Sequence, residues 1–235
     1  MLSVLGPSTS EGAAGAAAVA LGSDVDLAAR AFGQGFLETL QLAVTSYALA
    51  LALGAVLAVM HISPAPPARW ASRAFVEFFR NVPLLLIFFL FGFGLPKVGL
   101  DFRPFTWAVI VLATYTAAFI CETIRSGVNS VSMGQAEAAR ALGLDFAQSL
   151  RHVVLPQALR AVVPPLGSLF IALTKNTSLA LVVGVQEVSA KTEQLINQNV
   201  STVLVILGVA SCYLAINLPA SYVIGRIEAK AVFAR

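Results

Sequence analysis

The sequence predicts an all-α integral membrane protein with about five transmembrane helices and a two-helix segment between the third and the fourth. Three observations carry that reading. Of 235 residues, 58% are hydrophobic and only 11% charged, against roughly 25% charged in a soluble domain. Mean hydropathy is +0.83. The apolar residues gather into runs close to the ~20 that cross a bilayer as a helix, so no length remains for a separate soluble catalytic domain. A net charge of +3 is too small for a nucleic-acid surface. Cys121 and Cys212 lie inside apolar runs as small core residues, and neither a disulfide framework nor a metal site is indicated.

Taken in order, residues 1–32 are rich in Ala, Gly and Ser, with acids at Glu11, Asp24 and Asp26. The only base, Arg30, follows the apolar stretch, whereas a signal peptide carries its bases ahead of it. The reading is a loosely ordered extracytoplasmic tail over 1–32 and a single membrane domain over 33–235. Span one is 36–60, ended by the Pro-rich stretch 61–67. Span two is 82–98, with the Phe88, Phe89, Phe91 and Phe93 cluster as a packing or lipid-facing surface. Its approach, 73–80, is amphipathic and interfacial. Span three, 104–124, starts on a proline, which the first helical turn tolerates. Span four, 159–184, contains Pro164, Pro165 and a central Lys175, and span five is 200–225.

Lysine and arginine in the short connections orient these spans. Arg69, Arg73, Arg80, Arg125, Arg140, Arg151, Arg160, Arg226, Lys230 and Arg235 fall on one side, and Arg30, Lys97, Arg103 and Lys191 on the other. Ten bases against four place the C-terminus and the long third connection in the cytoplasm, and the N-terminus outside. Arg80 reads as a cytoplasmic interfacial anchor. Five spans cannot form two equal inverted halves, so a complete path across the membrane needs a second chain.

The third connection is long and helical in pattern. Ser132 with Gln135 is a capping-box arrangement, strong helix formers follow, and Gly143 is a helix stop. Asp145 with Gln148 repeats the start signal, and the second helix runs to Leu155, where Pro156 halts it. Glu137, Arg140, Gln148 and Arg151 lie on one strip, and Ala138, Leu142, Phe146, Leu150 and Val153 on another. Two short helices over 133–155 thus form a rigid knob suited to another protein's groove.

Glu137-Ala138-Ala139, then Gly143, then nine residues to Val153-Val154-Leu155-Pro156 resembles the EAA signature of ABC importer permease subunits, with Val153 for the isoleucine. Further matches resemble the polar amino-acid uptake permeases, of the histidine, glutamine, glutamate or arginine type. They include Phe79-Arg80-Asn81-Val82-Pro83, Glu122-Thr123-Ile124-Arg125-Ser126-Gly127 and Lys175-Asn176-Thr177-Ser178-Leu179. The resemblance spans about 33–228 and implies a type I ABC importer-like fold. It also implies a second permease subunit, identical or paralogous, two ATP-binding subunits and an extracytoplasmic amino-acid-binding protein. The chain has no Gly-x-x-x-x-Gly-Lys-Ser/Thr phosphate loop. It is therefore expected to be non-enzymatic and without a cofactor, with ATP and Mg on the partner ATPase.

The resemblance implies that Glu137, Ala138, Ala139, Arg140, Gly143, Leu155 and Pro156 couple to that ATPase. For the substrate path the candidates are Lys175, Asn176, Thr177, Ser178, Thr116, Tyr115 and Glu122. An ammonium inside a bilayer is costly, so Lys175 either attracts the carboxylate of an amino acid or pairs with Glu122 or an acid on the partner chain. The short polar residues after it either hold an amino-acid head group or satisfy backbone freed near Pro164 and Pro165. Tyr115 stands where the family often has Asn, which implies a reshaped cavity or specificity carried by the partner permease. The buried base and an almost acid-free span four favour glutamate, then glutamine. The alternatives are an ABC export permease or a non-ABC carrier. An intramembrane protease is disfavoured, because His61 and His152 both lie in connections.

Overall fold

The structure, a computed structural model, describes residues 9–63 and 65–232. Its first element is one long helix, α1 (Thr9–Ile62). Its buried positions are Ala28, Ala31, Phe32, Thr39, Leu42, Ala43, Ser46, Ala50, Leu57 and Ala58. Steps of three and four along this list keep them on one face. The loosely ordered tail is thus corrected over its described part, because 9–32 is the beginning of α1. Residues 1–8 lie outside the described residues. The extension is held by packing: Ala28, Ala31 and Phe32 share a buried cluster with Val188, Leu195, Val200 and Val205. Gly208 lies so close to the Phe32 ring that a methyl group there would collide with it.

Helix α2 (Pro66–Asn81) is amphipathic, burying Ser72, Val76 and Phe79 while Trp70 is 75% exposed. Val82 is extended, with φ −98° and ψ 129°, as a residue before proline tends to be. The chain therefore turns through 106° into the next segment. That segment is α3 (Leu84–Phe89), a π turn (Leu90–Gly94) and a 3-10 turn (Leu95–Val98). Phe88 and Ile87 of α3 are fully buried, so part of the aromatic cluster packs inward.

Helix α4 (Pro104–Asn129) is central: 56% of its most apolar stretch is buried, against 11% in the last helix. It packs on α1, where Gly54 meets Ile120, since a small residue lets two backbones approach. The third connection holds α5 (Met133–Ala141) and α6 (Phe146–Ser149). A π turn (Leu150–Val154) then runs without a break into α7 (Leu155–Asn176). Pro156 does not halt the second short helix: it falls where the π turn passes into the first turn of α7. A 3-10 stretch (Thr177–Val183) follows, then α8 (Val188–Asn197) and α9 (Thr202–Val232).

Among the described residues, four helices are long and apolar enough to cross a membrane, and the bent pair α2–α3 can supply a fifth. The all-α membrane architecture is borne out. Helix α9 exposes Val203, Ile206, Leu207, Leu214, Leu218 and Val223, a side suited to lipid or to another membrane helix.

Candidate functional site

The knob of the third connection is built by its glycine. Gly143 has φ +81°, the left-handed region that glycine enters at no steric cost. Its N–H reaches the Arg140 carbonyl at 2.9 Å, and the Leu144 N–H reaches that of Ala139 at 3.1 Å. These bonds close α5 and start the turn into α6. The Asp145 and Gln148 capping box forms reciprocally: the Gln148 N–H donates to Asp145 Oδ1 at 2.8 Å, and the Asp145 N–H to Gln148 Oε1 at 3.0 Å. The expected Ser132 cap does not, since the Ser132 side chain makes no cap bond. Its backbone carbonyl instead accepts from the Gln135 N–H. Glu137, Ala138 and Arg140 are exposed and Ala139 is buried. Met133 and Leu142 stand 78% and 83% exposed beside them. The knob thus offers mixed apolar and charged contacts around a fixed turn. Pro156 is exposed, and the side chains of Phe146, Leu150 and Leu155 lie outside those described.

Glu122, near the C-terminal end of α4, is already engaged. Arg125 donates to both of its oxygens, Nε to Oε1 at 3.2 Å and a terminal nitrogen to Oε2 at 2.8 Å. Arg80, at the end of α2, lies 3.5 Å from Oε2. These residues line a cavity of about 420 Å³ with Ser126, Pro165 and Leu169. The pairing of Glu122 with Lys175 is therefore corrected: the acid is held by two arginines. The Arg80 anchor, too, is part of an ion pair.

Lys175 is exposed and makes no ion pair among the described residues. It opens onto a groove of about 530 Å³ between α7 and α9, with Ser178, Tyr213, Asn217 and Ser221 as the other polar residues. The Ser178 hydroxyl donates to the Lys175 carbonyl at 2.8 Å, leaving its oxygen free to accept. Thr177 is buried, its hydroxyl spent on the Thr174 carbonyl at 2.7 Å. Asn176 is half-buried at the end of α7. Thr116 is buried in α4, and Tyr115 packs against Phe119 with ring centres 5.1 Å apart. The seven candidates do not form one cluster: Lys175 and Ser178 share the groove, Glu122 lines the arginine cavity, and Tyr115 borders the α1–α4 core.

Sequence reasoning missed two residues. Glu187, fully buried, caps α8 by accepting from the Ala190 N–H at 3.0 Å, and accepts from the Tyr213 hydroxyl at 3.3 Å. Burial pushes its carboxyl above the usual carboxylate range, opposed by hydrogen bonds from Ser189 and Ala190. Beside it the Val188 N–H donates to Thr39 Oγ1 of α1 at 3.2 Å. Asn217 sits mid-α9 with Oδ1 buried and unpartnered among the described residues. A lone Asn in the apolar run of span five was the available signal.

Residues 50–232 match the model of the binding-protein-dependent transport system inner membrane component family. The chain belongs to that family. It is 41% identical over 194 residues to a probable glutamine ABC transporter permease of Bacillus subtilis (strain 168), covering 83% of this chain and 90% of that protein. It is 38% identical to a glutamate transport system permease of Corynebacterium efficiens, covering 83% and 91%. A crystal structure of an amino acid ABC transporter with histidines superposes with a TM-score of 0.81 at 28% identity, over 86% of this chain and 94% of that one. The resemblance to ABC importer permeases of the polar amino-acid group is thus borne out, and with it a multi-pass membrane protein that serves transport.

Proposed function

We propose that this chain is a permease subunit of an ATP-driven importer for glutamine or glutamate, forming half of the path with a second permease, identical or paralogous. Two ATP-binding subunits hold the ATP and Mg and dock on the knob formed by α5 and α6. An extracytoplasmic binding protein delivers the amino acid, and the C-terminus is cytoplasmic. The single observation that carries the substrate reading is Lys175, a cation without an ionic partner among the described residues, open to a groove large enough for a small molecule. The glutamine and glutamate names of the two relatives above agree with a substrate bearing at least one carboxylate.

The continuous run from α6 through the π turn into α7 supports the coupling. Lys175 stands twenty residues beyond Leu155 on α7, about 30 Å along a helix axis. A tilt of the knob by the closing ATPase is carried along that helix to the groove.

The test is Lys175→Met, which removes the charge and keeps the bulk. In the complex reconstituted with its ATPase and binding protein, uptake of labelled glutamine and glutamate falls while complex yield and basal ATP hydrolysis hold. Uptake equal to wild type refutes the substrate role of Lys175.

A further inference from the structure

The cavity beside Glu122 holds more positive charge than its one acid answers. Arg125 spends Nε and one terminal nitrogen on the Glu122 carboxylate and keeps its other terminal nitrogen. Arg80 comes only within 3.5 Å of Oε2, beyond the ~3.2 Å reach of a good N–H···O bond, so its donors stay unspent on that acid. Both arginines approach the same oxygen, at 2.8 Å and 3.5 Å, which holds the two guanidinium groups side by side. A ligand can reach them: their side chains are 39% and 46% exposed. The Thr123 and Ser126 hydroxyls line the same cavity. Paired guanidiniums flanked by hydroxyls match the oxygens of a phosphate, which accept the two-pronged bonds that arginine offers.

The position of the cavity says which phosphate. Helix α2 is amphipathic, with Trp70 and Phe78 exposed, the pattern of a helix lying in a membrane interface. Arg80 is in its last turn, and just beyond it the chain bends through 106° into the apolar segment 84–98. The guanidinium pair thus stands where an interfacial helix meets a spanning one, at the depth of the lipid headgroups. Phe119, Pro165 and Leu169 add apolar lining, which a free phosphate ion does not use and the glycerol and first methylenes of a lipid do. We propose that Arg80 and Arg125 hold the phosphate of an anionic phospholipid in this cavity, in the leaflet on the side of the third connection. Basic pockets between membrane helices bind lipid headgroups by the same chemistry. Most of the lining comes from α4 and α7, the helices that enter and leave the third connection, so the bound headgroup braces both roots of the knob. The site shares no lining residue with the Lys175 groove.

The experiment takes the full permease–ATPase complex, stripped of lipid in detergent, and titrates it with short-chain phosphatidylglycerol while native mass spectrometry counts the bound lipid. Phosphatidylcholine of the same chains is the parallel arm, and inorganic phosphate, glutamine and glutamate are competitors. Expected is saturable binding of phosphatidylglycerol, about 10-fold tighter than phosphatidylcholine, whose choline cancels the charge. None of the competitors displaces it at equal concentration. Arg80→Gln and Arg125→Gln each weaken it about 10-fold, as for a lost hydrogen bond between charged groups. Arg73→Gln, which removes an exposed charge from the same helix α2, leaves it unchanged. Equal affinity of the wild-type complex for the two lipids overturns the proposal, whatever the variants do to complex yield. Equal weakening by Arg73→Gln overturns it as well, and leaves only a general attraction of basic residues for anionic lipid. Displacement by inorganic phosphate makes the ligand a free anion, and displacement by glutamine or glutamate returns the arginines to the substrate path; either result refutes the lipid assignment.

Discussion

Replacing Gly143 by valine tests the turn between the two short helices of the third connection. A Cβ at Gly143 meets nothing within 4 Å, so its attachment brings no clash there, and the cost considered is that of φ +81°. Holding an L-residue in that region costs about 1–2 kcal/mol, most for a β-branched one. Leaving it breaks the bonds from the Gly143 and Leu144 N–H groups to Arg140 and Ala139. A penalty of that size moves the balance between aligned and misaligned helices by about 5- to 30-fold. The assay is ATP hydrolysis by the reconstituted complex, stimulated by the substrate-loaded binding protein, with the ATPase retained on the permease measured in parallel. Stimulation or retention falls for Gly143→Val while membrane insertion is unchanged. Gly143→Asn is milder, since Asn tolerates the left-handed region. Full stimulation by the valine variant, or equal damage from Asn, refutes the reasoning.

Topology is checked by single cysteines on a background lacking Cys121 and Cys212. Ser132→Cys and Gln148→Cys react only from the cytoplasmic side and Gln198→Cys only from outside, whereas external labelling of Ser132→Cys reverses the orientation. The buried acid gives a pH dependence. Because burial raises the Glu187 carboxyl above its ordinary value of 4.5, the folded state binds this proton more tightly than the unfolded chain. Docking of α8 is therefore firmest below pH 4.5 and weakens as pH rises through the raised value. Glu187→Gln keeps a cap acceptor and abolishes the trend. Amide exchange along α8 measures it, and a flat wild-type profile sinks the argument.

The membrane helices were legible because the bilayer imposes a length and an apolar composition that local sequence must display, as 104–124 and 200–225 do. The beginning of α1 was not, because acids at 11, 24 and 26 break the apolar run. Yet the buried face carried a signal that composition hides: Ala28, Ala31, Phe32, Gly35 and Thr39 continue, in steps of three and four, the stripe of the membrane segment. Pro156 misled for the opposite reason. A proline ends a helix that reaches it from the interior, but it suits the first turn of one that begins there. Here a π turn precedes it, and the widened turn lets the chain pass Pro156 into α7 and remain helical.

The two short helices of the third connection were readable because their start and stop signals sit within twenty residues, where local spacing governs the turn. The groove is assembled from α7 and α9, and no local pattern states which face of each meets the other. Glu122 illustrates the limit and a missed rule: Arg125 stands three residues on, the separation at which helical neighbours touch. That adjacency outweighs a distant lysine, and the structure has the pair at 2.8 Å. With Glu122 spent on two arginines, Lys175 forms no ion pair among the described residues. Tyr213 borders the same groove and bonds Glu187 at the head of α8, while α7 runs back from Lys175 to the knob. The groove thus adjoins α7, which continues the third connection through its π turn, and, through one hydroxyl, the cap of α8.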